Sequence, residues 1–329
     1  MAVAKAGGVA GGRAIVAVPI ATDGERLTMT ISRCRWLAVA LCVMVSACSP
    51  HTIAMNRMAD ALTATARSYS SDNDIELVRT AAPSTLKLVE MMLDGAPDHQ
   101  GLLLTACSGF TQYAYGFLQI DAEIAQPKDP AEAAALNERA LRMFARARGY
   151  CSRLLDARHR GLSAELRKNA QSALARADKA DVPALFWLGV SWGGEISLAS
   201  NQLLRLPELV SVRAVMNRAL ALDEAWDQGA IHEAMISFDG MPALLGGSSD
   251  RAAKHFARAV ELSNGQSAFA YVTMASSVAV PARDRGAFER NLKTALAIDV
   301  ERDASRRLAN LIAQRRARFL LSRTGVLFR

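Results

Sequence analysis

Three short segments repeat along the second half of this chain and limit what it can fold into. They are Asn217-Arg-Ala-Leu-Ala-Leu-Asp223, Phe256-Ala-Arg-Ala-Val-Glu-Leu262 and Asn291-Leu-Lys-Thr-Ala-Leu-Ala-Ile-Asp299. Aligned on Ala219, Ala259 and Ala295, they are spaced by 40 and 36 residues. An earlier Phe144-Ala-Arg-Ala-Arg148 places Ala147 72 residues before Ala219, twice the shorter spacing. Apolar residues recur every three or four positions, Ala, Leu, Arg and Glu dominate, and no alternating strand pattern of useful length occurs. A fixed period of this size marks an array in which each helical unit buries its apolar face on its neighbours. The expected fold class is all-α.

Break signals divide the pattern. Asp72, Asn73 and Asp74 supply capping side chains for a helix from Ile75, and Pro83 is expected to kink or restart it before Leu93. A long helix is predicted over 98–125. Pro127 and Pro130 separate it from the next, 131–158, which Gly161 stops. A shorter helix follows over 163–177, and Asp181 with Pro183 opens another that reaches Leu204. Further helices are predicted over 207–221, 225–241, 250–262, 267–280, 285–297 and 303–322. Connections of two to eight residues make consecutive helices antiparallel neighbours. The small alanines resemble those of the second helix of a tetratricopeptide repeat, where they let two helices approach closely. The expected architecture is therefore antiparallel helix pairs in a degenerate, tetratricopeptide-like solenoid.

The N-terminal region is of a different kind. Arg33 and Arg35 precede an apolar run from Trp36 to Val45, which ends in Val45-Ser46-Ala47-Cys48. A basic segment, an apolar run of about 7–15 residues and a small-residue cleavage site are the parts of a secretory signal. The run is shorter than the roughly 20 residues that span a bilayer. The last four residues resemble a bacterial lipobox, in which Cys48 is lipidated and becomes the mature N-terminus; an ordinary signal peptide followed by a cysteine is the alternative. Buried acyl carbons contribute about 0.8 kcal/mol per CH₂, so two or three chains anchor a domain durably. Ser49 is not the Asp that favours inner-membrane retention, which leans the expectation toward the outer membrane's periplasmic face. Residues 1–28 read as a mis-assigned extension before Met29, 29–47 as the signal, 48–54 as a lipidated tether and 55–325 as the helical domain.

Composition removes some functions. The whole chain carries a formal charge of +7, and beyond residue 47 the balance is 34 basic against 30 acidic side chains. No basic stripe with interleaved aromatics appears, so no nucleic-acid partner is expected. The one basic concentration, Arg302 to Arg323, reads as a solvated helix face or a contact with lipid head groups. With Cys48 lipidated, Cys107 and Cys151 are the remaining thiols in a compartment where disulfides persist. They either bridge neighbouring helices or stay as two buried thiols.

Catalytic and metal signatures are weak. His232-Glu233 lacks the second histidine of a zinc-binding His-Glu-x-x-His, and the other histidines are scattered, so no metal site is expected. Glu195 alone would have to serve a muramidase. No catalytic residue and no cofactor is expected beyond the N-terminal lipid. The informative clusters are aromatic: Cys107 to Phe117 and Phe186 to Glu195. Gly within a helix costs roughly 1 kcal/mol relative to Ala, so Gly193-Gly194 calls for close helix approach or for ligand space. Apolar walls with a few polar groups build a ligand pocket, and core packing is the competing reading. The expected cavity lining is Phe110, Gln112, Tyr113, Trp187, Ser191 and Trp192, with Asn201 and Trp226.

Four segments resemble the TatT component family of TRAP transporters. They are Ser71-Asp-Asn-Asp-Ile-Glu-Leu-Val-Arg-Thr-Ala-Ala-Pro83, Cys107-Ser-Gly-Phe-Thr-Gln-Tyr-Ala-Tyr115, Ala184-Leu-Phe-Trp-Leu-Gly-Val-Ser-Trp192 and Gln314-Arg-Arg-Ala-Arg-Phe-Leu-Leu321. The resemblance implies a periplasmic lipoprotein of cryptic tetratricopeptide-like helices that assembles as a homotrimer. It further implies a pore or cavity in each protomer for an apolar or amphipathic ligand, and a partner in the solute-binding protein of a TRAP system. The expected function is a lipid-anchored accessory protein of organic-solute uptake, binding an apolar or carboxylate ligand, docking the solute receptor, or both. An envelope scaffold for outer-membrane or cell-wall assembly is the alternative.

Overall fold

The computed structural model describes residue 57 and residues 66–199 and 201–329. The extension, the signal, Cys48 and the tether lie outside the described residues. The chain divides into units 1–53 and 54–329, and the second is described here. It is all-α, with no strand among the described residues.

After α1 (Ala66–Ser70), Asp74 opens α2 (Ile75–Gly95) by accepting from the amides of Glu76 and Leu77. Pro83 lies inside α2 without ending it, so the expected restart does not occur. His99, not Asp98, caps α3 (Gln100–Tyr113). The single helix predicted over 98–125 is interrupted by a π-helical segment, Ala114–Gln119, before α4 (Ile120–Ala125). Asp129 and Pro130 start α5 (Pro130–Arg158), and Gly161, at φ 77°, supplies the left-handed turn before α6 (Leu162–Leu166). α7 (Ala170–Ala175) and α8 (Val182–Leu198) follow, then the short α9 (Gln202–Arg205).

The rest is α10 (Glu208–Leu222), α11 (Ala230–Asp239), α12 (Ser249–Leu262) and α13 (Ala268–Met274) with a second π segment, Ala275–Ala279. α14 (Arg285–Ala297), α15 (Arg307–Ser322) and α16 (Thr324–Leu327) complete the chain. α8 packs on α10, α11 on α12 and α13 on α14, while α13 also lies against α11 and α15. Ala147, Ala219, Ala259 and Ala295 are all fully buried.

The core is built differently at its two ends. Leu102, Leu103, Phe144, Leu155, Leu185 and Leu188 belong to one continuous cluster running from α2 to α11. A smaller cluster centred on Phe288 and Leu292 is filled with alanines 268, 275, 279, 295, 313 and 317. α15 joins the two ends. Its Ile312 belongs to the large cluster, its Ala313 and Ala317 to the small one, and it packs against α1, α2 and α4. Buried Asn310 accepts from the Ala268 amide and donates to the Gln266 carbonyl, and Gln314 donates to the Ala295 and Ile298 carbonyls. Buried amides are kept only where they are satisfied in this way.

The basic run at the C-terminus is engaged rather than solvated. Arg306 donates to the carbonyls of Asp227 and Gln228, two consecutive residues with left-handed backbone, and pairs with Glu233. Arg307 pairs with Glu301 and donates to the Ser71 carbonyl. Arg315 and Arg79 both pair with Asp121. Arg307 and Arg315 thus tie α15 to the N-terminal helices, and Arg306 ties its start to the turn before α11.

Candidate functional site

The site begins with the π segment. The Ile120 amide donates to the Tyr115 carbonyl, an i→i+5 bond that widens one turn of the α3–α4 rod. Such turns are rare inside α-helices and gather at functional sites because they re-aim the side chains that follow. Gly116 lets the widened turn sit against Ile312 of α15, where an added Cβ would lie 3.4 Å from the Ile312 Cδ1. Tyr115 is thereby set against Phe269, ring centroids 5.8 Å apart.

A cleft of about 310 Å³ opens beside this turn. Tyr115, Gln119, Ile120, Ala122, Glu123 and Gln126 line one side; Asn137 of α5, Leu198 of α8 and Arg316 of α15 complete it. Its size falls in the range of small-ligand pockets, and its lining mixes apolar surface with amides and one cation. Arg316 is the chemically decisive member. Its Nε and Nη2 donate to the two Glu123 carboxylate oxygens at 2.7 and 3.1 Å, and Nη1 donates to the Tyr115 hydroxyl at 3.2 Å. Burial by itself lowers a guanidinium's pKa, but Tyr115 and Glu123 outweigh it and raise that of Arg316, so the charge is permanent. A planar, bidentate donor of this kind is suited to a carboxylate, and here Glu123 takes that place from within the chain.

None of the residues expected to line a cavity lines this cleft. Phe110 is buried and stacks on Tyr150 at 5.9 Å beneath the Arg146 guanidinium. Tyr113 is buried against Phe117, with Arg139 over its ring. Ser191 is buried, donating to the Leu188 carbonyl at 3.1 Å. Trp192 is buried, its indole N–H donating to Glu208 at 2.6 Å. Trp187 and Trp226 are half-buried and both meet Phe186, with centroids 4.8 Å away in each case. Gln112 and Asn201 are exposed, and the Gln112 amide folds back on the Ser108 carbonyl.

The glycines explain the correction. A Cβ on Gly189 would lie 2.3 Å from the Met216 Sδ, and one on Gly194 would lie 2.7 Å from the Phe144 ring. Gly189, Gly193 and Gly194 therefore serve close packing of α8 on α10, α5 and α11. Cys107 and Cys151 are both fully buried and disulfide-bonded, Cα atoms 5.1 Å apart, which staples α3 to α5.

Glu195 belongs to an ion-pair network. Arg148 and Arg205 reach it at 2.9 and 2.8 Å, and Arg205 also pairs with Glu208. Hydrogen bonds from Arg205 and then Trp192 hold the Glu208 carboxyl at about 2. Among the described residues, no group of three His, Cys, Asp or Glu side chains could hold a metal ion.

Sequence reasoning passed over Arg316, Glu123 and Gln119. Two of the segments that carry the family resemblance contain Tyr115 and Arg316, yet arginine in a basic run resembles a solvated face until its partners are known. No helix among the described residues is long and apolar enough to cross a membrane.

An uncharacterized protein of Treponema pallidum (strain Nichols) is 27% identical over 263 residues, covering 77% of this chain and 80% of that protein. The family model for the TRAP transporter T-component matches residues 71–328, from the turn before α2 to the last turn of the chain. The chain belongs to the TRAP transporter T-component family, accessory components of TRAP transporters.

Proposed function

We propose that the chain is a lipid-anchored, periplasmic accessory protein of a TRAP-type organic-solute uptake system, held at the outer membrane through Cys48 and working as a homotrimer. It binds a small apolar or carboxylate-bearing solute, docks the periplasmic solute-binding protein, or does both, and it carries out no covalent chemistry. The observation that carries the ligand-binding part is Arg316, a permanent cation in the wall of a cleft that Tyr115, Glu123, three amides and the apolar Ile120, Ala122 and Leu198 also line. A carboxylate head would replace Glu123 on the guanidinium fork, and its apolar tail would lie along Ile120 and Leu198. Gln119 and Asn137 are placed to accept or donate to the head group.

Native mass spectrometry of the soluble chain from Ser49 tests this reading. The expected result is a trimer carrying a small amphipathic mass, and substitution Arg316→Ala should release that mass. A ligand-free monomer would contradict both parts.

The envelope-scaffold reading is favoured by one observation. Leu203, Leu204, Val210 and Leu244 are 80%, 81%, 74% and 94% exposed. Leu203 and Leu204 adjoin in the chain, and an exposed apolar patch marks a protein contact where it is contiguous. A scaffold would retain an envelope-assembly partner and show no solute binding in the same experiment.

A further inference from the structure

A second polar cluster lies away from the cleft, between α11 and α12. The Nδ1 atoms of His232 on α11 and His255 on α12 are 2.8 Å apart, and the rings are tilted by 47°. At that distance one nitrogen carries a proton and the other offers its lone pair. The far nitrogens face carboxylates. His232 Nε2 lies 3.5 Å from Glu224, and His255 Nε2 lies 3.5 Å from the fully buried Asp239. Both rings are largely shielded from solvent, with side chains 7% and 15% exposed.

The surrounding charges are placed on every neighbouring element. Arg213 of α10 pairs with Asp239 at 2.6 Å, and Arg251 of α12 pairs with it at 3.0 Å. Arg258 of α12 takes Glu224 at 2.6 Å. α13 and its π segment, which pack against both helices, bring Tyr271 as their one ionisable group, and its ring lies edge-on to Phe256. Glu233 pairs with Arg306, which also donates to the Asp227 backbone carbonyl. Two carboxylates and three guanidiniums therefore surround two imidazoles.

We propose that the His232–His255 contact is a proton-operated latch joining α11 to α12, closed while a single Nδ1 proton lies between the rings and opened when acid protonates both. With both Nδ1 atoms protonated, two N–H donors face each other with no acceptor, and Arg213, Arg251 and Arg258 repel the added charge. In the closed neutral pair one Nε2 is a bare lone pair facing its carboxylate, so the first added proton is taken there and leaves the Nδ1 contact intact; only the second proton, which must go to the remaining Nδ1, opens it. Burial is the leading cause that lowers the pKa of both rings; the neighbouring His255 adds to it for His232, and for His255 the attraction of Asp239 is outweighed by burial with Arg251 and Arg213. The sign follows. A histidine whose folded pKa lies below its unfolded value of about 6.5 contributes stability that is present above that value and lost as pH falls below it.

The test is a titration of the histidine ring nitrogens by NMR in the purified protein between pH 8 and pH 5. Regional hydrogen exchange, corrected for the intrinsic pH dependence, is followed over the same range. The two rings should titrate as a coupled pair with separated steps. The second step should coincide with a gain in exchange in α11 and α12 that exceeds any gain in α3 and α5. In His255→Gln this regional acid response should disappear. If that variant does not fold, the wild-type titration and exchange pattern still decide. Two rings titrating independently near the ordinary histidine value would overturn the latch, as would exchange that rises equally in all four helices or in none.

Discussion

The helices from α2 to α11, which share the large cluster, and those from α12 to α15 solve the same packing problem with different materials. In the first region, large side chains do the filling: Phe110, Phe144, Trp192 and a belt of leucines surround the Cys107–Cys151 bridge. In the second, alanines bring helices together, buried Asn310 and Gln314 tie the ends, and Arg251 pairs with Asp239 at the border. The first arrangement draws stability from apolar area and a covalent link. The second gains periodicity at the expense of depth, so it depends on hydrogen bonds and ion pairs that respond to pH. The cleft lies where α15 brings the two regions together.

Removing the bridge should produce the largest effect on this contrast. In the chain-entropy model, a link across a separation of 44 residues is worth on the order of 4 kcal/mol. Cys107→Ala/Cys151→Ala should lower the unfolding free energy by about 2–5 kcal/mol, read by denaturant titration. Exchange protection should fall in α3 and α5 before it falls in α14. Equal loss in both regions would remove the distinction.

Overpacking comes next. Gly194→Ala drives a methyl group into the Phe144 ring, and Ala259→Leu does the same to the α11–α12 contact around Gly229. Each should cost about 1–3 kcal/mol by thermal unfolding, with the damage confined to its own region.

Acid should then separate the two regions. Asp181 is fully buried, and although burial raises its pKa, hydrogen bonds from the Asp178 amide and His159 and the charge of Arg158 bring it below the ordinary 3.8. A depressed carboxyl contributes stability above its unfolded pKa and loses it as pH falls through the folded one. Asp181→Asn should thus flatten the acid limb of the stability profile below pH 3.8, whereas the histidine pair governs the range below about 6.5. The smallest effect is expected at the surface. Leu203→Ser should change stability by no more than about 0.5 kcal/mol, because Leu203 is 80% exposed.

Much of the fold was legible because it rests on local signals. Asp74, Pro130 and Gly161 punctuate helices by hydrogen-bonding and backbone preferences that act within a few residues, and the spaced alanines mark buried helix contacts wherever the chain goes. α14 falls on its predicted span, 285–297. The π segment was not legible, since its widened turn arises where Gly116 meets Ile312 almost two hundred residues away. The cleft was illegible for a related reason. Trp187, Ser191 and Trp192 carry chemistry suited to a pocket, but whether an aromatic lines a void or fills it depends on Met216, Phe144 and Glu208 across the helix interface. Arg316 had the reverse fate: its sequence neighbours are basic, while its partners Glu123 and Tyr115 come from the opposite end of the domain.

The most direct test of the account is where a solute binds. Octanoate should be titrated calorimetrically into the wild type, Arg316→Ala and Trp187→Ala. Loss of one bidentate carboxylate contact removes about 1.5–3 kcal/mol, roughly ten- to a hundredfold in affinity. The account predicts that loss in Arg316→Ala and near-wild-type binding in Trp187→Ala. Binding that survives Arg316→Ala and fails in Trp187→Ala would contradict it and return the site to the aromatic cluster of α8.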